Sequence, residues 1–185
     1  MNERKKELAP NKAKGFATTE LMKQLLGSYY NDIQNCKKQG RPMAYVTAGF
    51  PVEILYAMDI LPFYPENHAA MLGARRLVVE LSQVAEARGY SQDICSYARA
   101  DMGFNFSGES PVGPVPKPDF VLACNQQCDT VTKWYEVLSR YFDVPMFLID
   151  APNVQGTEPL DSAIDYFKKQ LKELVAFLEK NTNRK

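Results

Sequence analysis

Short apolar runs alternate with helix-period segments along this chain, and that alternation restricts the fold more than any other feature. Met43–Thr47 (MAYVT), Phe120–Ala123 (FVLA) and Val144–Ile149 (VPMFLI) are compact and rich in branched and aromatic residues. They are too short for helices and lack the polar-apolar alternation of a strand wetted on one face. They read as strands buried on both sides, which implies a parallel sheet between layers of helix. Ile60–Tyr64 reads as a further extended segment, broken by Pro62 and ended by Pro65.

Helix signals fill the intervals. Met22, Leu25, Leu26, Tyr29, Ile33 and Cys36 form one apolar stripe over Thr18–Gln39, with Gly40 placed for a left-handed cap. Pro51 suits the start of a short helix reaching Met58. The pattern predicts one long helix over Glu66–Arg88, another over Ser91–Met102 ended by Gly103, and two more over Cys128–Phe142 and Pro159–Leu178. Phe104–Pro118 (FNFSGESPVGPVPKP) is punctuated by Gly and Pro and predicts an irregular loop, functional or mobile. The expected fold class is α/β, a parallel sheet with helices on both faces of the Rossmann-like or flavodoxin-like kind, preceded by an N-terminal helix. Its ligands belong beyond the carboxyl ends of the strands, at Ala48, Gly49, Phe50 and Pro51 and at Cys124–Asp129.

Composition narrows the function classes. With 185 residues, 45% of them hydrophobic, the chain can bury a core without disulfide staples. Lys plus Arg and Asp plus Glu are 22 each, so no net charge supports binding to nucleic acid or to an anionic membrane. Residues 1–17 are polar and locally basic and lack the apolar stretch of a secretory signal. They are expected to be a flexible segment ahead of a single α/β domain over 18–185, and the protein is expected to be cytoplasmic.

Four cysteines and one histidine carry the candidate chemistry. Cys36 lies on the helical stripe and reads as a core thiol. Cys124 and Cys128 flank a strand-to-helix junction, where the amides and dipole of a helix N-terminus favour a thiolate. With Cys95 they offer soft ligands from different elements, yet C-x-x-x-C is not a strong zinc or ferredoxin spacing. Buried thiol, metal ligand and reactive thiolate all stay open on spacing alone. His68, in a first helical turn, suits either a polar surface residue or a catalytic acid–base. Arg75, Arg76 and Arg99 suit either a solvated helix face or an anion site, and Trp134 and Tyr135 suit helix packing.

Four stretches carry a resemblance: Thr47–Glu53 (TAGFPVE), Tyr64–Ala70 (YPENHAA), Tyr90–Gly103 (YSQDICSYARADMG) and Pro116–Glu136 (PKPDFVLACNQQCDTVTKWYE). The chain resembles the iron–sulfur subunits of the 2-hydroxyacyl-CoA dehydratase and benzoyl-CoA reductase family, with TAGFP and PENHAA leaning to the benzoyl-CoA reductase branch. The resemblance implies a [4Fe–4S] cluster held through three cysteines. Cys95 and Cys128 match the first two, Cys124 is an alternative, and the third belongs to a second α/β domain. The chain is therefore expected to correspond to an N-terminal half. The resemblance further implies an acyl-CoA substrate, a homologous iron–sulfur partner subunit, and an ATP-dependent activator protein that supplies a low-potential electron to the thioester carbonyl. Ala48–Pro51, His68 and the Phe104–Pro118 loop would wall the substrate, with His68 as the catalytic candidate. Two further readings stand beside this one: a non-catalytic α/β scaffold that holds no cluster and pairs with a homologous subunit, and a zinc-binding module.

Overall fold

The computed structural model describes residues 16–108, 110–154, 156 and 160–184; most of the 1–17 segment and the expected start of the last helix at Pro159 lie outside them. The elements, in order, are α1 (Ala17–Asn35), β1 (Met43–Val46), α2 (Glu53–Ala57), β2 (Leu61–Phe63), α3 (Pro65–Ala74), α4 (Val78–Glu86), α5 (Ser96–Ser107), β3 (Phe120–Cys124), α6 (Asp129–Phe142), β4 (Met146–Ile149) and α7 (Asp161–Thr182). Two compact units result, Met1–Asp32 and Ile33–Lys185. In the first, Leu21, Met22, Leu25 and Leu26 of α1 are exposed, and the Tyr29 and Tyr30 rings meet edge to face at 5.0 Å.

The second unit is the expected α/β fold. Its four strands are all parallel, in the order β2-β1-β3-β4. Ala44 pairs with Pro62 on one side and with Phe120 on the other, and Leu122 pairs with Phe147. Pro62 is tolerated because β2 is an edge strand, where a missing N–H need not face a neighbour. Alternation along β1 and β3 sends Ala44, Val46, Phe120 and Leu122 into a core completed by Leu55 of α2 and by Leu174 and Leu178 of α7. On the opposite face Tyr45 packs against Phe63 and against Phe142 at the end of α6, with ring centroids 4.8 and 5.7 Å apart. Tyr135 of α6 donates its hydroxyl to the Val46 carbonyl at 2.8 Å on a buried site. Helices therefore cover both faces.

Several sequence expectations are corrected. The helix expected over Glu66–Arg88 is two helices, because Arg76 takes a left-handed conformation (φ 62°) between α3 and α4. The helix expected to stop at Gly103 runs on to Ser107 and ends at Gly108 (φ 80°), so the irregular loop starts later than Phe104. Gly103 serves a close approach instead: a Cβ there would collide with the Leu81 carbonyl of α4. The first helix stops at Asn35 rather than Gln39, and the chain turns through Gly40 (φ 67°) into β1. The strand at β4 is only partly buried, since it lies at the other edge of the sheet. Among the described residues no helix is long and apolar enough to cross a membrane.

Candidate functional site

The chain leaves β1 toward β2 on one side and returns through α3, α4 and α5 to β3 on the other. That reversal makes the carboxyl ends of β1 and β3 the switch point, where loops diverge and leave a crevice. Thr47 ties the two ends together. Its N–H donates to the Leu122 carbonyl at 3.2 Å, and its Oγ1 accepts the Cys124 N–H, also at 3.2 Å. Thr47 is fully buried and Cys124 is nearly so.

Beyond Thr47, Ala48 and Gly49 are exposed in a turn closed by the Phe50 N–H donating to the Thr47 carbonyl at 3.1 Å. Phe50 folds back into the core and Pro51 is half-buried, so only Ala48 and Gly49 of the four candidate substrate residues are exposed. Beyond Cys124, the loop 125–128 is held on two sides. Asn125 bonds the Asp150 carboxylate through its amide, and its Oδ1 accepts the Ala151 N–H at 2.9 Å. Tyr166 of α7 donates to the other Asp150 oxygen at 2.7 Å. On the opposite side Gln127 donates to Oε2 of Glu66 at 3.1 Å, while Oε1 of the same carboxylate accepts the Ala48 N–H at 3.3 Å. Glu66 thus spans the two loops of the switch point.

Cys95 and Cys128 occupy equivalent places on different helices. Each is the N-terminal cap of its helix, Cys95 of α5 and Cys128 of α6, and each is exposed as a free thiol. Both line one cavity of about 250 Å³, together with Glu66, Asn67, Tyr97 and Trp134. The unpaired amides of two helix N-termini face a group bound there with partial positive charge. A metal or cluster of negative thiolate ligands suits such a place. The other two thiols are elsewhere: Cys36 is buried, where desolvation pushes its thiol up, and Cys124 belongs to the core beside Val46 and Ile149. Among the described residues no three Cys, His, Asp or Glu side chains gather to hold a metal by themselves. The donor set fits an iron–sulfur cluster as two of its ligands.

His68 is not a surface residue. It is wholly buried, with Phe104 at 4.4 Å and Phe63 at 5.6 Å between ring centroids. Its Nε2 is 3.0 Å from the Ser110 hydroxyl, and its Nδ1 is 3.7 Å from Oδ1 of Asp101. Burial pushes the Asp101 carboxyl up, against the opposing pull of His68, Trp134 and Asn105. Trp134 and Asn105 both donate to Asp101 Oδ2, at 2.9 and 3.0 Å. His68 therefore sits behind the cavity wall rather than on it. Arg99 is occupied by Glu86 and by the Ile94 carbonyl, and Arg75 and Arg76 are exposed at the α3–α4 turn. Sequence reasoning missed Glu66; its signal is an acid in the first turn of a helix that follows a strand. It also missed Asp101, a lone acid among buried positions of α5.

Residues 47–185 match the family described as 2-hydroxyglutaryl-CoA dehydratase, D-component. The alpha subunit of (R)-2-hydroxyisocaproyl-CoA dehydratase from Clostridioides difficile is 39% identical over 86% of this chain and 39% of the relative. The alpha subunit of (R)-phenyllactyl-CoA dehydratase from Clostridium sporogenes is 36% identical over 100% of this chain and 44% of the relative. A benzoyl-CoA reductase subunit from Thauera aromatica is 29% identical over 83% of the chain and 36% of the relative. The chain spans about two fifths of the length of these relatives. With this match over most of its length, the chain belongs to the 2-hydroxyglutaryl-CoA dehydratase D-component family.

Proposed function

We propose that the chain forms the N-terminal α/β domain of an acyl-CoA dehydratase-type iron–sulfur subunit and supplies two cysteine ligands, Cys95 and Cys128, to a [4Fe–4S] cluster. The observation that carries this reading is the convergence of two exposed helix-capping thiols on one cavity at the switch point of the sheet. A bound cluster would supply low-potential one-electron chemistry to an acyl-CoA thioester. The third cysteine ligand comes from a further domain, and the partners are a homologous subunit and an ATP-dependent activator. The relatives support a subunit partner, because each is itself one subunit of an acyl-CoA enzyme.

The chain's own residues have definable tasks in this reading. Cys95 and Cys128 hold the group from two helices whose packing fixes their separation. Glu66 is the one carboxylate lining the cavity, and it aligns the Ala48 turn with the Cys128 loop. Trp134 and Tyr97 shield the cavity from water. His68 acts through Asp101 and Trp134 as a positioning residue.

Anaerobic loading with iron and sulfide, with a small thiol filling the outstanding positions, tests the assignment. Bound iron and sulfide-to-iron absorption are expected in the parent and in Cys36→Ser and Cys124→Ser, and are expected to be lost in Cys95→Ser and Cys128→Ser. Unchanged iron in the last two variants overturns the ligand assignment. A second reading, a scaffold that pairs with a homologous subunit and holds no cluster, draws on the lack of a third ligand among the described residues. It predicts iron-free protein that still forms a stoichiometric complex.

A further inference from the structure

Helices α5 and α6 carry the two thiols at their N-terminal ends and a different chemistry at the other end. There Phe106 of α5, Arg140 and Tyr141 of α6, and Arg88 and Tyr90 just beyond α4 line a cavity of about 390 Å³. A helix rises about 1.5 Å per residue, so the lengths of α5 and α6 set this cavity roughly 15–20 Å from the thiols. Its three rings are ordered against one another. Phe106 stacks with Tyr90, centroids 5.9 Å apart, and meets Tyr141 edge to face at 4.9 Å. The Tyr141 hydroxyl donates to the Asn105 carbonyl at 2.9 Å, which fixes that ring. The Arg88 guanidinium lies over Phe106, with Cζ 4.2 Å from the ring centroid. A ring beneath a guanidinium takes up its face and leaves its N–H edges for oxygens. No carboxylate lines the cavity. Among the described residues neither arginine bonds the free carbonyls of its helix end, the usual task of a cation there, and Arg88 has no ion pair. Arg140 reaches a carboxylate only at 3.9 Å, on the Glu136 oxygen that Lys133 already holds at 3.1 Å.

We propose that this cavity is a second binding site, separate from the cysteine site, for a free nucleoside phosphate whose base lies against the aromatic rings and whose phosphate lies on Arg88 and Arg140. The volume is that of a small-molecule site. A phosphate takes paired N–H bonds from a guanidinium fork, a geometry that a single ammonium does not offer. The ring is needed as much as the charge, because exposed cations alone hold an anion weakly once salt screens them. Coenzyme A ends in the same adenosine phosphate chemistry. The space between this cavity and the thiols favours the free nucleotide. That space is walled by Ile94, Ala98, Met102 and Val137, which leave the amides of a pantetheine arm without hydrogen-bond partners.

Calorimetric titration of the full chain at low ionic strength tests this without iron. AMP is compared with adenosine, ribose 5-phosphate and inorganic phosphate, and is expected to bind at least about tenfold more tightly than each of them. Arg88→Gln and Arg140→Gln, both at exposed sites, are each expected to weaken AMP binding about tenfold or more. Arg88→Lys is expected to restore little of it, because an ammonium lacks the fork. Phe106→Leu is expected to weaken AMP but not inorganic phosphate, with far-ultraviolet circular dichroism as the check on folding. Arg75→Gln, outside the cavity, is expected to change nothing. No binding of AMP, AMP no tighter than inorganic phosphate, or AMP binding that both glutamine variants leave intact overturns the proposal. So does coenzyme A bound more than about tenfold tighter than AMP and lost in Arg88→Gln, which would make this the handle site of a thioester. The cysteine assignment is decided separately, by iron content.

Discussion

Asp101 and Gly103 show how much a single position can hold. Asp101 is fully buried and its carboxyl is pushed up by desolvation, so the folded protein favours its protonated form more than the unfolded chain does. A raised folded pKa contributes stability that is complete below the ordinary aspartate value, about 4, and is lost as pH climbs through the raised value. Urea midpoints measured upward from pH 4 should therefore fall for the parent relative to Asp101→Asn, which cannot titrate. Parallel profiles would show that Asp101 ionises as easily folded as unfolded. Gly103 has a different constraint. Gly103→Ala puts a methyl group into the Leu81 carbonyl, and thermal unfolding should show a loss of about 1–3 kcal/mol, the usual cost of overpacking. Cys128 was legible in the sequence because a helix start after an apolar strand has a local signature, whereas Cys95, expected inside a helix over Ser91–Met102, caps one that begins at Ser96. The burial of His68 was not legible, because a histidine in a first turn carries no local mark of Phe63, Phe104 and Asp101 closing over it from other elements.

At the scale of elements, the strands were legible and the helix boundaries were not. Apolar runs such as Phe120–Cys124 announce themselves by composition, whereas the break between α3 and α4 rests on an arginine with positive φ, which no residue preference foretells. Arg76 is exposed, so Arg76→Gly should relieve the left-handed strain and raise stability by roughly 0.5–1 kcal/mol in urea unfolding. Gly103 misled in the opposite sense: a glycine that permits two helices to touch looks, locally, like one that ends a helix. The loops at the switch point depend on Glu66 for two hydrogen bonds. Glu66→Ala should speed amide exchange at Ala48 by roughly tenfold, the equivalent of one hydrogen bond, and should quicken alkylation of Cys128. Unchanged exchange at Ala48 would mean that the carboxylate does not order the turn.

The parallel sheet makes the second unit one cooperative body, and this gives the whole molecule a measurable signature. Its core lies on both faces of the same four strands. Leu174 of α7 packs with Ala44, Val46, Phe120 and Leu122 on one face. Trp134 belongs to α6, which lies with Tyr45 and Phe142 on the other. Each strand residue of one face is covalently next to a residue of the other, so neither layer can dissolve without freeing the strands beneath it. A single domain of this size unfolds in one step when its layers are coupled in this way. Leu174→Ala removes a buried side chain and should cost about 2–5 kcal/mol. That loss should move the urea midpoint of Trp134 emission, on the far side of the sheet, as far as it moves the midpoint of far-ultraviolet circular dichroism. Separate midpoints, with the Trp134 signal unmoved, would show that α5 and α6 form a unit of their own. The thiol pair could then be ordered by those helices without the sheet.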